Sequence, residues 1–70
     1  MNYKEMLEKK DIKVIDNIKN NLFKCKYNNN DIILELNSGL NYNYRLSING
    51  KTIITKGSFI YCINKILNYK

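Results

Sequence analysis

The sequence lacks several residue types on which enzymes and metal sites depend. It contains no histidine, which is the usual general base near neutral pH and the commonest metal ligand. Alanine, glutamine, proline and tryptophan are also absent, and there are only two cysteines. Two cysteines cannot complete a four-ligand zinc site unless carboxylates or a second chain contribute. We therefore expect no enzymatic activity, no metal and no cofactor.

Long apolar segments are also missing. No apolar run approaches the roughly 18 residues of a membrane span, and no signal-peptide core follows the amino terminus. We therefore expect a cytoplasmic protein that does not enter a membrane. The 70 residues, 44% of them hydrophobic, predict a single domain over residues 1–70 with one modest core.

The residues that are abundant indicate a low-GC genome and a basic protein. Asn, Lys, Ile and Tyr, whose codons are A/T-rich, supply 41 of the 70 residues. The net charge is +6, of which residues 1–22 contribute +1 and residues 23–70 contribute +5. An anionic partner and an ordinary solvated basic surface both fit this charge.

The strongest local signal is Asn49-Gly50, which lies between two β-rich segments. This dipeptide favours a two-residue type I′ hairpin turn, because both central residues must adopt positive φ. The turn predicts a register in which one set of side chains faces the core and the other faces away. The predicted cross-strand pairs are Ile48 with Lys51, Ser47 with Thr52, Leu46 with Ile53, Arg45 with Ile54, Tyr44 with Thr55 and Asn43 with Lys56.

The amino-terminal segment has helical periodicity. Residues 2–21 predict one helix, because six apolar side chains fall within one arc at about 100° per residue. Asp11 lies inside that arc, so a break at Lys10 with Asp11 capping a second segment is the alternative.

The remaining segments predict short strands and a second helix. Alternation predicts strands over Leu22–Tyr27 and Ile32–Leu36, with turns at 28–31 and 37–39. Ser58 is a suitable N-cap for a terminal helix whose broad apolar face should contact both the sheet and the first helix. The predicted fold is α+β, a two-layer α-β-β-β-β-α arrangement with an antiparallel meander sheet and both helices on one face.

The two cysteines are predicted to be core residues. Cys25 lies on the inward side of its strand and Cys62 on the apolar side of the last helix. Buried cysteines in a cytosolic domain usually serve as small hydrophobic side chains rather than as a disulfide. Whether these two touch is left open by the sequence.

The best candidate surface is the sheet face away from the helices. The predicted register gives it four cations and one acid with two aliphatic side chains, which suits a phosphate backbone or an acidic protein. An ordinary solvated face is the alternative. Tyr27, Tyr42 and Tyr44 point toward the helices in this register, which argues against base stacking. The predicted partner-binding residues are Lys24, Lys26, Ile33, Asn43, Arg45, Thr52, Ile54 and Lys56.

The last third of the chain resembles a known RNA-binding domain but lacks the residues with which that domain binds phosphates. Gly57-Ser58 opens the last helix after Ile48-Asn49-Gly50-Lys51, as in the double-stranded-RNA-binding domain, which the last third of the chain resembles. That family places lysines directly after the serine, whereas this chain has Phe59 and Ile60 there. The HicA-type toxins share the layout but need a histidine, which is absent.

The whole chain resembles phage-borne inhibitors of host defence, the anti-CRISPR proteins among them, in size, low-GC composition, compact layout and absence of catalytic chemistry. Such proteins are typically single domains that bind a nuclease or effector complex and block nucleic-acid access or activation. Many are acidic DNA mimics, and the charge of +6 departs from that pattern. The resemblance implies a protein or ribonucleoprotein target in the host cytosol.

Three functional hypotheses follow. The first is a non-enzymatic inhibitor that occupies a partner's surface with the basic sheet face. The second is a small nucleic-acid-binding module, whose affinity would fall steeply with salt. The third is a homodimer formed through an exposed edge strand.

Overall fold

Two helices flank a five-stranded sheet in the computed structural model, which describes residues 2–37 and 43–69. The strands form one antiparallel sheet in the order β1-β2-β3-β4-β5. The predicted α+β class and antiparallel meander are confirmed, with one strand more than predicted. The predicted turn at 37–39 and Tyr42 lie outside the described residues, except for Asn37. In chain order the elements are α1 (Tyr3–Lys9), β1 (Lys13–Ile18), β2 (Leu22–Tyr27), β3 (Asn30–Leu36), β4 (Tyr44–Ile48), β5 (Lys51–Gly57) and α2 (Phe59–Leu67).

The predicted helix over residues 2–21 is wrong beyond Lys9. Asn2 caps α1 by accepting the Glu5 backbone N–H at 2.8 Å, and Lys10 is its C-cap. Asp11 has φ 62°, a left-handed conformation that a continuing helix cannot contain. The chain therefore breaks where the alternative placed the break, but a strand follows instead of a second helical segment. Its β-branched residues lose less side-chain freedom in a strand than in a helix.

The Asn49-Gly50 turn is confirmed. Asn49 has φ 53° and Gly50 has φ 81°, as a type I′ turn requires. The predicted pairs of Ile48 with Lys51 and of Ser47 with Thr52 are present. Their register is therefore set by the turn, as expected.

Beyond these two pairs the predicted hairpin register is wrong, because β5 contains two β-bulges. Leu46 pairs with Ile54 instead of Ile53, and Tyr44 pairs with Gly57 instead of Thr55. Each bulge adds one residue to β5 and reverses the faces of the residues beyond it. The predicted pairs of Arg45 with Ile54 and of Asn43 with Lys56 are consequently not formed in the ladder.

The bulges bring Ile54 into the core. Its side chain is only 8% exposed, whereas the predicted register pointed it outward. Gly57 then lies so close to α2 that an added Cβ would come within 2.9 Å of Tyr61 Cδ2 and 3.0 Å of Ile54 Cγ2. A residue without a side chain is therefore favoured where the last strand meets the helix.

Both helices pack on the same side of the sheet, against an aromatic cluster. Tyr3 of α1 stacks on Phe59 of α2 with ring centroids 4.0 Å apart. The Tyr44 ring of β4 meets both at edge-to-face geometry, with centroid distances of 5.9 Å to Tyr3 and 5.1 Å to Phe59. Phe23 of β2 completes the cluster 5.7 Å from Phe59. The broad face of α2 thus contacts the sheet and α1, as predicted.

The terminal helix and the two cysteines follow the predictions. Ser58 caps α2 by accepting the Tyr61 backbone N–H at 3.1 Å. Cys25 and Cys62 are both buried thiols in the core cluster. Tyr44 is buried and donates its hydroxyl to the Asn20 carbonyl at 2.6 Å, so its predicted inward direction is also confirmed.

The Asn49 side chain ties two neighbouring turns together. Its Oδ1 accepts the Asp31 backbone N–H at 2.8 Å and its Nδ2 donates to Asn30 Oδ1 at 2.9 Å. The Asn49 backbone N–H donates to the Asp31 carbonyl at 2.7 Å. The β4–β5 turn is therefore anchored to the start of β3 as well as to its own strands.

Replacing Asn49 by alanine should lower the free energy of unfolding by about 2 kcal/mol. The substitution forces a left-handed alanine and removes two side-chain hydrogen bonds. Asn49→Gly, which accepts the positive φ, should cost about half as much, and Asn64→Ala on exposed α2 surface should cost nothing. Urea unfolding followed by circular dichroism measures all three. Equal losses for Asn49→Gly and Asn49→Ala would show that backbone strain contributes nothing.

Candidate protein-binding surface

The sheet face opposite the helices carries residues from all five strands. We call it the open face and define it by three cross-strand rows taken from the strand register. The rows begin at Lys13, Asp16 and Ile18 of β1, a strand that the sequence analysis did not predict. Across the sheet they comprise Lys13, Lys26 and Asp31; then Asp16, Lys24, Ile33, Ser47 and Thr52; and finally Ile18, Leu22, Glu35 and Arg45.

Most of the predicted partner-binding residues are brought together here. Lys24, Lys26, Ile33, Arg45 and Thr52 all lie on the open face, and Arg45 Nη2 donates to Thr52 Oγ1 at 2.9 Å.

The other three predicted residues are not at the centre of this surface. Ile54 is in the core. Lys56 is exposed on the edge strand β5. It lies in the second bulge, between the paired residues Ile54 and Gly57. Asn43 is half-buried just before β4, where its carbonyl accepts the Asn37 backbone N–H at 2.8 Å. The predicted surface is therefore shifted away from β5 and toward β1.

The open face is a mosaic of both charge signs, whereas the sequence predicted four cations and one acid. Lys26 Nζ lies 3.4 Å from Asp31 Oδ1. Asp16 of β1 is directly opposite Lys24, and Glu35 is opposite Arg45. Lys13 is the remaining cation, so the face carries four cations and three carboxylates. Opposite charges placed across neighbouring strands largely cancel the basic character that was expected.

An apolar stripe runs diagonally through these charges. Ile18 is opposite Leu22 on the neighbouring strand, and Ile33 is the diagonal neighbour of Leu22 one strand further. Ile18 is 58% exposed and Ile33 is 39% exposed. We call Ile18, Leu22 and Ile33 the apolar stripe.

Sequence reasoning missed Ile18 because it was assigned to the core arc of the incorrect helix. Leu22 was counted in the same arc, although it was also predicted to begin the strand Leu22–Tyr27 on its outward side. The polar Asp11 within that arc, together with β-branched Val14, Ile15 and Ile18, was the available signal for a strand.

A depression adjoins the end of the apolar stripe. It has a volume of about 440 Å³ and lies where the β1–β2 turn meets the end of β3. The turn is held there by a 2.8 Å hydrogen bond from the Leu36 backbone N–H to the Asn21 carbonyl. We call this the end depression, and its lining residues are Ile18, Asn21, Leu22, Glu35, Leu36 and Asn37.

The titrating groups with shifted pKa values lie in the core, away from the open face. Burial raises the pKa of the Cys25 thiol to about 12 and that of Cys62 to about 11. Burial, followed by the nearby Tyr3 and Cys62, raises the pKa of Tyr44 to about 12. All three groups are therefore protonated at neutral pH, and neither thiol is activated as a nucleophile.

Two further observations concern metals and membranes. Within residues 2–37 and 43–69, no three His, Cys, Asp or Glu side chains are grouped as metal ligands would be. Neither α1 nor α2 has the length and apolar character that crossing a bilayer requires.

Comparison with known proteins does not assign the chain to a family. Its sequence matches no protein-family model and no curated protein, and its fold matches no solved structure. The function is therefore inferred from the open face and the end depression themselves.

Proposed function

We propose that this chain is a non-enzymatic binding protein of the cytosol that acts by occupying the surface of a partner protein with its open face. The observation that carries the proposal is the apolar stripe of Ile18, Leu22 and Ile33, enclosed by charges of both signs. We further propose that the chain inhibits a host-defence protein, because it resembles the phage-borne inhibitors of host defence in size and layout. Blocking a nuclease or effector complex by occupancy needs no catalytic group.

The surroundings of the apolar stripe support a protein partner. Protein interfaces combine a desolvated apolar centre with a polar rim, and a few central residues supply most of the binding energy. Here the stripe supplies the centre, and Lys24, Lys26 and Arg45 belong to the rim. Charges of alternating sign favour a partner with a complementary pattern and disfavour others.

The same charge pattern makes the open face a poor nucleic-acid surface. Phosphate contacts gain affinity by releasing counterions, and a carboxylate placed beside each cation opposes these contacts because it repels the phosphate. Asp16, Asp31 and Glu35 each stand directly opposite a lysine or arginine. Among the described residues, Tyr61 is the only largely exposed aromatic side chain, and it lies on α2 rather than on the sheet. Base stacking on the open face therefore has no support.

Nucleic-acid binding at another surface remains the second candidate, because one observation favours it. Outside the open face, residues 43–69 carry Lys51, Lys56 and Lys65 and no acidic residue. A polyanion bound along β5 would dissociate as salt is raised, and it would be insensitive to changes in the apolar stripe.

Capture of a host protein that depends on the apolar stripe tests the proposal. The tagged chain is used to purify its partner from host lysate, and the partner's affinity is then measured by calorimetry. The double variant Ile18→Thr/Ile33→Thr, which keeps β-branched side chains, should bind at least about tenfold more weakly. Ile60→Thr is the matched control, because Ile60 is 53% exposed but lies on α2.

Two outcomes would contradict the proposal. Recovery of nucleic acid alone, with affinity that falls steeply with salt, would support the second candidate instead. Equal affinity of the wild type and the double variant for a captured protein would place the contact outside the open face.

A further inference from the structure

We infer that the end depression receives an arginine side chain of the partner protein. This inference rests on the proposed function and specifies the chemistry that the partner brings to the open face. It follows from three properties of the depression: an apolar floor, a carboxylate that forms no ion pair with the described residues, and an amide oxygen that accepts no hydrogen bond from them.

The floor suits the aliphatic part of a long side chain. Ile18, Leu22 and Leu36 contribute the apolar lining, and Leu22 and Leu36 are half-buried, so their surfaces are partly desolvated before any partner arrives. Arginine covers such a surface with its methylene groups while the guanidinium stays at the polar rim.

Glu35 supplies negative charge at that rim. The strand register places it opposite Arg45, but Arg45 directs Nη2 toward Thr52 Oγ1 at 2.9 Å. Among residues 2–37 and 43–69, Lys26 and Asp31 form the only ion pair within 4 Å. Glu35 therefore forms no ion pair with these residues. An exposed carboxylate beside an apolar floor attracts a cation that can also bury its stem.

The amide of Asn37 adds an acceptor. Its Nδ2 donates one N–H to the Thr55 carbonyl at 2.9 Å, which fixes the amide, and its Oδ1 accepts no hydrogen bond from the described residues. A guanidinium has five N–H donors and no acceptor, so it matches a rim that offers a carboxylate and an amide oxygen. Lysine matches less well, because its ammonium is a compact, strongly hydrated charge without a planar fork.

The test uses small probes and the isolated, intact chain. N-acetyl-arginine N-methylamide is titrated while backbone amide shifts are followed by heteronuclear NMR. The citrulline analogue, which has the same shape without the charge, is the matched probe. The arginine probe should shift Leu22, Leu36 and Asn37 together, whereas the citrulline probe should bind about tenfold more weakly.

A charge-removing variant tests the role of the carboxylate. Glu35→Gln should weaken the arginine probe by a similar factor, while Glu8→Gln, which removes the same charge from the exposed face of α1, should leave it unchanged. Thermal unfolding of both variants verifies that the fold is retained. Shifts that are equal for the two probes, or unaltered by Glu35→Gln, would overturn the inference.

Failure of this inference can be distinguished from failure of the proposed function. If partner affinity falls in Ile18→Thr/Ile33→Thr but not in Glu35→Gln, the open face is the interface and the arginine contact is wrong. If neither variant alters partner affinity, the proposed function itself is wrong.

Discussion

Raising the pH from 8 to 11 is expected to lower the free energy of unfolding by about 3 kcal/mol. Burial raises the pKa of Cys25 from 9.0 to about 12 and that of Cys62 from 9.0 to about 11. The unfolded chain therefore loses these protons first. Their stabilising contribution is complete below pH 9 and is lost as the pH rises through the folded-state values. Full shifts would give about 5 kcal/mol, and solvent screening in so small a domain reduces this.

Urea unfolding at pH 8, 9, 10 and 11 measures this loss. Cys25→Ala/Cys62→Ala should be less stable at pH 8, since two buried side chains are truncated. Its stability should nevertheless fall with pH less than half as steeply as that of the wild type. Tyr44 contributes in the same direction and accounts for part of the remaining slope. Parallel slopes for the wild type and the double variant would contradict the assignment to the thiols.

Phe59→Ala should produce the largest loss from a single substitution, about 3–5 kcal/mol. Phe59 is 4% exposed, stacks on Tyr3 at 4.0 Å and meets Phe23 and Tyr44 edge to face. Removing the ring empties the point where α1, α2 and the sheet converge. A domain of this length has a stability of only about 4–10 kcal/mol, so the variant should lose at least about a third of its stability and melt at a much lower temperature.

The neighbouring residue provides the control. Ile60 follows Phe59 in α2 but is 53% exposed, so Ile60→Ala should change stability by less than about 0.5 kcal/mol. Thermal and urea unfolding followed by circular dichroism compare the two variants. Similar midpoints for Phe59→Ala and Ile60→Ala would show that the aromatic cluster does not hold the helices to the sheet.

The parts of the fold that were predictable are those set by local chemistry. Asn49-Gly50 predicted its turn because few other dipeptides accept two positive φ angles. The Ser58 cap and the alternation in Leu22–Tyr27 are likewise local signals. Tyr44 could be assigned to the core because it alternates in step with Leu46 and Ile48 along β4.

The errors arose where tertiary contacts outweigh local pattern. Val14, Ile15 and Ile18 fit a helical arc and an edge strand equally well, and pairing with β2 decides between them. The two bulges in β5 were not predicted, and with them Ile54 lies in the core and Gly57 lies close to α2.

The candidate site was predictable only in part for the same reasons. Lys24, Lys26, Ile33, Arg45 and Thr52 follow from strand parity and were placed correctly on the open face. The carboxylate of Asp16 and the exposed side chain of Ile18 come from a strand that was assigned to a helix. Their appearance opposite β2 changes the expected surface from basic to mixed.

The meander order of the sheet also bears on how rapidly the protein forms. Every strand pairs with its neighbour in sequence, so each pairing closes only a short loop. Chains dominated by such near-neighbour contacts cross their folding barrier faster than sheets with long crossovers. The aromatic contacts of Phe59 with Tyr3 and Phe23 differ, since they join residues far apart in the sequence. We therefore expect the sheet to form first and the two helices to lock onto it together, leaving little time for exposed edges to aggregate.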